Sequence, residues 1–315
     1  MRDLRIVFMG TPDFAVGILK KLLEEKKNIA GVITAPDRPA GRGRKLRPSA
    51  VKEFAVSKNL PVLQPTNLKN DAFLTELKEL KANLQIVVAF RMLPKVIWSL
   101  PEYGTFNLHA SLLPQYRGAA PINWAIINQE EKTGVTTFFI DEKIDTGAII
   151  LKEEVAITEQ DTAGSLHDKL MDVGSELVVK TVTEIETANA EPIPQIQEVT
   201  VKDAPKLSSE NTRINWNDTV EAIDAFIRGL SPYPVAWSKL ENESETLKVK
   251  IYSATKEVIA HSEKPGTVTT DKKSMKVATK NGYIYIKVLQ LPGKRKMDIA
   301  SLLNGFSFAK DAKLV

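Results

Sequence analysis

Two polar residues one position apart carry the first chemical signal in this chain. Within Gly104–Trp124, GTFNLHASLLPQYRGAAPINW, a strand over residues 105–110 turns alternate side chains to opposite faces, so Asn107 and His109 share a face about 7 Å apart. Asparagine offers an amide donor, and histidine gives or takes a proton near neutral pH. Asp145, in the IDTG stretch at 144–147, is a candidate to orient the imidazole and fix its tautomer. Donors aimed at a developing oxyanion beside a proton acceptor suit attack of an amine on a carbonyl carbon, with no covalent nucleophile. Each residue also has a plainer reading: a histidine in a strand is often a satisfied core residue, and DTG is a common turn.

The elements that must position these residues follow from hydrophobic patterning. Leu84–Ala89 is a near-continuous apolar run, expected to be a strand buried on both faces. Phe90–Leu93 then lie at its carboxyl end, where open parallel sheets bind ligands. Leu4–Met9 and Ile29–Thr34 read as further strands, Gly134–Ile140 as another, and Asp145 falls in the loop beyond it. After the first strand, GTPDF offers Thr11 as a helix cap and Pro12 as a first helical residue. The stretch lacks the second and third glycines of GxGxxG, which argues against a dinucleotide-binding oxidoreductase. Thr162–Ile185 has the apolar spacing of a long amphipathic helix.

The 315 residues are 43% hydrophobic and 26% charged, the balance of a globular protein with room for two domains. With no cysteine, thiol nucleophiles, disulfides and cysteine-held metals are excluded. The apolar run at the N-terminus is too short for a signal peptide core or a membrane span, so a cytoplasmic protein is expected. The net charge of +4 is unevenly spread. APDRPAGRGRKLRPS sets Arg38, Arg42, Arg44, Lys45 and Arg47 against Asp37 alone, in a stretch whose prolines and glycines predict irregular structure. A phosphate-rich ligand or a solvated charge run are both compatible with that composition.

Residues 189–207 are polar and dotted with proline, and read as a linker between domains at 1–188 and 208–315. The second domain opens with a helix near Asn217–Leu230 and continues as strands. Asn281-Gly282 predicts a hairpin with a type I′ turn, and the strands together suggest a small OB-like barrel. Its lysines, with Lys294, Arg295 and Lys296 among them, suit either nucleic-acid backbone or plain solubility.

FMGTPDFAV, DRPAGRGRKLRPS, NLHASLLPQYRGAAPINWAI and DTG occur here in one order, and with them the chain resembles the folate-dependent formyltransferases over essentially its full length. The basic loop and the second domain place the resemblance in the branch that acts on charged tRNA. It implies an α/β, Rossmann-like N-terminal catalytic domain and an OB-like C-terminal tRNA-binding domain. The activity implied is formyl transfer from 10-formyltetrahydrofolate, a co-substrate rather than a tightly bound cofactor, to the α-amine of initiator methionyl-tRNA. By the same resemblance Asn107, His109 and Asp145 are catalytic. Phe90, Arg91, Met92, Leu93, Ser111, Leu112, Leu113, Pro114 and Asp141 hold the folate, with Leu112, Leu113 and Phe90 as apolar wall. Arg38, Arg42, Arg44, Lys45 and Arg47 meet the tRNA. Arg91 stands where many relatives carry glycine. No metal and no membrane partner are expected, and a monomer is. The alternatives are a formyltransferase for a small amine such as an amino-sugar nucleotide, and a noncatalytic RNA-binding protein.

Overall fold

The computed structural model describes residues 1–40, 45–196 and 200–315. The chain divides into two compact units: residues 1–118, 133–156 and 167–203 form the first, and residues 119–132, 157–166 and 204–315 form the second. Residues 119–132 fold with the second unit although the sequence reads them as part of the N-terminal domain. The stretch 189–203, read as linker, belongs to the first unit, because Ile193 pairs with Ile149 through backbone bonds in both directions at 2.8 Å.

The first unit is built from β1 (Ile6–Gly10), α1 (Asp13–Glu24), β2 (Ile29–Ile33), β3 (Arg38–Ala40), β4 (Lys45–Arg47), α2 (Ala50–Ser57), β5 (Val62–Leu63), α3 (Asp71–Glu79), β6 (Leu84–Val88), α4 (Lys95–Trp98), β7 (Thr105–His109) and β8 (Arg117–Gly118). After α5 (Pro121–Ile127), which lies in the second unit, the chain continues with β9 (Lys132–Phe139), β10 (Ile149–Ala156), α6 (Ala163–Glu186) and the short β11 (Asp203–Ala204). Seven strands form one sheet in the order β10-β9-β7-β6-β1-β2-β5. The β1, β2, β5, β6 and β7 pairings are parallel, and β9 joins β7 antiparallel.

The central strands β1, β2 and β6 are buried at every residue, as continuous apolar runs require when both sheet faces are covered. Phe8, Ile86, Phe106, Ile18 and Leu19 are fully buried, each worth about 1.5–3 kcal/mol of apolar transfer. Helix α6 is tied to the sheet by a hydroxyl pair, Thr137 to Thr181 at 2.8 Å. Thr11 does not cap α1: the helix begins one residue later than the sequence suggests, with Pro12 at the cap position and no side-chain cap bond. No described helix is long and apolar enough to cross a membrane.

The basic loop is more regular than its composition predicts. β3 and β4 pair as a short hairpin, with Arg38 opposite Arg47 and Pro39 opposite Leu46. Two strands leave an open edge on which a proline's missing N–H costs no ladder bond.

The second unit contains α5, α7 (Val220–Gly229), β12 (Ala236–Asn242), β13 (Glu245–Val258), β14 (Val268–Thr270), β15 (Met275–Ala278), β16 (Gly282–Gln290), β17 (Met297–Asp298), α8 (Ile299–Leu303) and β18 (Lys313–Leu314). Its strands run β14-β15-β16-β13-β12-β18 in antiparallel pairs. The ends then meet: Val268 N–H donates to Ala312 O at 3.1 Å and Leu314 N–H to Gly266 O at 2.9 Å. That nearly closes the sheet into the expected barrel. Helix α7 sends Val220, Ile223 and Ile227 into the barrel core, the apolar face of an amphipathic helix. Helix α5 packs on α7, with the Asn123 amide donating to Gly229 O at 2.8 Å.

The β15–β16 hairpin exists, but not through a type I′ turn. Neither Asn281 nor Gly282 has positive φ. Gly282 is required by close approach instead, since a Cβ there would lie 2.1 Å from Glu257 O on β13. Asn281 Oδ1 accepts the Val220 N–H at 2.8 Å, so this residue caps α7 from across the unit.

Candidate active site

Strand β7 lies between β6 and β9, with Asn107 beside Val87 and Phe138 and His109 beside Thr136. Asn107 is half-buried and His109 is 7% exposed. Among the described residues nothing hydrogen-bonds the Asn107 side chain, which leaves its amide available to a substrate oxygen.

The imidazole is oriented by a backbone group. His109 Nε2 lies 2.8 Å from Tyr116 O; a carbonyl only accepts, so Nε2 carries the hydrogen and neutral His109 keeps its lone pair on Nδ1. Nδ1 is 3.9 Å from Asp145 Oδ2, too far for a hydrogen bond but close for two opposite charges. The tautomer is therefore set by Tyr116, not by Asp145 as the residue types alone suggest. A proton arriving at Nδ1 sits between the ring and the carboxylate.

The turn after β7 is organised to present that carbonyl. Ser111 Oγ donates to Gln115 O at 2.6 Å, Thr136 Oγ1 donates to Ser111 O at 2.6 Å, and Leu113 N–H donates to Thr136 Oγ1 at 3.2 Å. Lys152 Nζ donates to Leu113 O at 2.7 Å, and Tyr116 N–H to Lys202 O at 2.6 Å. Ser111 and Leu113 are fully buried, Leu113 against Phe138 and Ile149. Leu113 is thus a core residue with no exposed surface, unlike the apolar wall expected of it, whereas Leu112 and Pro114 are half-buried.

Asp145 reaches His109 from a loop held at both ends. Asp141 accepts from Thr146 Oγ1 at 2.8 Å and from the Lys143 N–H at 2.9 Å. Gly147 passes so close to the end of β9 that a Cβ would lie 1.6 Å from Phe139 O, which explains the glycine of DTG. Asp145 itself has φ of 55°, in the left-handed region where aspartate is more tolerated than most residues. Its Oδ2 accepts the Gly118 N–H at 3.0 Å.

A second group gathers at the carboxyl ends of β1, β2 and β6. Arg38, Arg47, Phe90 and Arg91 line a cavity of about 270 Å³ with Thr11 and Ser49. The Arg91 guanidinium donates to Thr66 O at 2.9 Å and to Pro65 O. Burial, and then the neighbouring Arg38 charge, hold its pKa below the ordinary arginine value. Met92 is exposed and Leu93 buried. Asp37 accepts from Gln64 at 2.8 Å and from Lys52 at 2.7 Å, and these two bonds, Gln64 first, lower its pKa. That ties down the start of the basic hairpin. Arg42 and Arg44 lie outside the described residues, and of Lys45 only the backbone, in β4, is described. Among the described residues no three His, Asp or Glu side chains are grouped to hold a metal ion.

Three contributors escape a reading of residue types: the Tyr116 carbonyl, the Gly118 N–H and the Gln195 side chain, whose amide donates to Asp145 O and Gly147 O. Gly118 falls inside the RGAAP stretch, but nothing marks Tyr116 as a backbone acceptor, and Gln195 lies in what reads as linker.

A parallel sheet with a polar pair on β7 and a carboxylate looped over it, followed by a separate antiparallel barrel, is matched by two family models. Residues 4–182 match the formyl transferase model and residues 206–307 the model of the formyl transferase C-terminal domain; the chain belongs to the formyl transferase family. It is 57% identical to a methionyl-tRNA formyltransferase of Flavobacterium johnsoniae over 314 residues, covering 100% of both chains. It is 52% identical to one of Bacteroides thetaiotaomicron over 317 residues, covering 99% of this chain and 98% of the other. Among solved structures, HypX from Aquifex aeolicus in complex with tetrahydrofolic acid superposes with a TM-score of 0.66 at 20% identity, over 96% of this chain and 47% of that one. The sugar 3N-formyl transferase WlaRD superposes with a TM-score of 0.63 at 21% identity, over 94% and 100%. At these identities the structural likeness speaks for the fold alone.

Proposed function

We propose that the protein transfers the formyl group of 10-formyltetrahydrofolate to the α-amino group of methionine esterified to initiator tRNA. The products are N-formylmethionyl-tRNA and tetrahydrofolate. The full-length relatives named for that activity support the choice of substrates. The single observation that carries the chemistry is the His109 imidazole, with Nε2 committed to Tyr116 and Nδ1 facing Asp145 at 3.9 Å.

In this reading the neutral amine attacks the formyl carbon and the carbonyl π electrons move to oxygen. The Asn107 amide and protonated His109 stabilise that oxyanion. The nitrogen gives up a proton, for which Asp145 is the nearby base, directly or through a water. The tetrahedral carbon then expels folate N10, which takes a proton, and the carbonyl re-forms as an amide. Phe90, Arg91, Met92, Leu93, Asp141 and the turn from Ser111 to Pro114 hold the folate. Leu113 contributes there through its backbone and through the core, not as a wall. Arg38, Arg42, Arg44, Lys45 and Arg47 take phosphates of the tRNA acceptor end. The enzyme works in the cytoplasm as a monomer.

Single Asn107→Ala, His109→Ala and Asp145→Ala variants test the roles. Each is expected to lower single-turnover formylation by about 100-fold to 1,000-fold with the far-ultraviolet spectrum unchanged. Three variants with near-normal rates would refute the assignment.

A further inference from the structure

The loop that carries Asp145 is met by a part of the chain that reads, from its residues, as mere connection. Ile149 and Ile193 each donate an N–H to the other's carbonyl at 2.8 Å, in antiparallel sense. Counting two residues outward along both segments sets Gln195 opposite Gly147. The Gln195 amide nitrogen carries two hydrogens and donates to Asp145 O and to Gly147 O, each at 2.9 Å. Its carboxamide oxygen accepts from Arg117 at 2.5 Å. Arg117 stands between Tyr116, whose carbonyl holds His109, and Gly118, whose N–H holds Asp145. One neutral side chain therefore joins the backbone under Asp145 to the turn that orients His109.

That connection matters because the Asp145 backbone is left-handed, a conformation that even aspartate adopts at a cost in free energy. A non-glycine φ of 55° persists only where the surroundings over-determine it. Gly147 cannot move toward β9, where Phe139 O already occupies the space. Without the Gln195 donor the two carbonyls turn to water, the peptides from 145 to 147 rotate, and the carboxylate drifts from Nδ1.

We propose that Gln195 is a positioning residue for formyl transfer, fixing the backbone on both sides of Asp145 and so the placement of its carboxylate against His109. The inference rests on the formyl-transfer reading above.

Full-length Gln195→Ala and Gln195→Glu proteins test it, with 10-formyltetrahydrofolate and charged initiator tRNA as substrates. Glutamate keeps the length and the acceptor for Arg117 but, ionised, cannot donate to the two carbonyls, so both variants are expected to lose about 100-fold in kcat, the effect of misplacing a reacting group by about 1 Å. KM for either substrate stays within about threefold, the pattern of a group felt at the transition state. In an Asp145→Ala background, Gln195→Glu adds no further loss, because both changes remove one contribution. Amide hydrogen exchange over residues 142–147 rises in both variants. That readout needs no turnover, so it tests the placement even if the wild type formylates nothing and the functional reading fails. The proposal is overturned by a Gln195→Glu kcat within about threefold of wild type, by losses that multiply in the double variant, or by unchanged exchange. Should the alanine protein fail to fold, the glutamate protein carries the test.

Discussion

Replacing Gly147 by alanine perturbs the Asp145 loop without touching a reacting group. The added Cβ falls 1.6 Å from Phe139 O and 2.8 Å from Phe139 C, where ordinary contact begins near 3.4 Å. One side must yield by about 2 Å for a normal van der Waals separation. Phe139 is badly placed to do so: its N–H donates to Ala148 O at 2.9 Å and it pairs across the sheet with Phe106. The loop moves instead, and Asp145, two residues earlier, moves with it. A shift of about 1 Å in a catalytic group is enough to cost about 100-fold in rate, and overpacking of this kind costs about 1–3 kcal/mol in stability. Single-turnover formylation at saturating substrates, with a urea unfolding curve on the same protein, measures both. A Gly147→Ala enzyme within about threefold of the wild-type rate and with the same unfolding midpoint would refute the claim that this close approach sets the Asp145 loop.

Asn281→Ala removes the acceptor for the Val220 N–H, and a lost helix cap costs about 1 kcal/mol; a thermal melt of the variant should show a lower Tm with formylation of the remaining folded protein unchanged. Asp37 has its pKa lowered from the ordinary 3.8 by Gln64 and Lys52, so its stabilisation is complete above that value and is lost as pH falls through the folded value. The difference in urea midpoint between wild type and Asp37→Asn should be constant from neutrality to about pH 5 and shrink in stronger acid; a difference that grows in acid would contradict the assignment. Substituting Arg38 and Arg47 together by alanine should weaken tRNA binding and flatten its salt dependence; a titration across salt concentrations with an unchanged slope would contradict their contact with phosphates.

Residue types reveal groups that use side chains in local patterns. The shared face of Asn107 and His109 follows from strand alternation, and the central strands follow from apolar runs too long for a half-exposed sheet. Asp145 is visible because it is an acid in a turn beyond a predicted strand. The Tyr116 carbonyl is not, because every residue has one and only the fold of the turn aims it. Gln195 is hidden for a different reason: its partners lie 48 to 78 positions away from it, and a polar residue in a proline-dotted stretch looks solvated. Asn281-Gly282 shows local chemistry overridden by packing, since the pair serves to cap α7 and to let β13 come near. Arg38–Arg47 shows the reverse: its prolines and glycines predict irregular structure and so conceal the pairing of β3 with β4.

Charged initiator tRNA is the proposed formyl acceptor. The purified protein, given 10-formyltetrahydrofolate, should convert methionyl-tRNA to N-formylmethionyl-tRNA while leaving uncharged tRNA, free methionine and an amino-sugar nucleotide unformylated. Formylation of the sugar amine with none of the charged tRNA would contradict it.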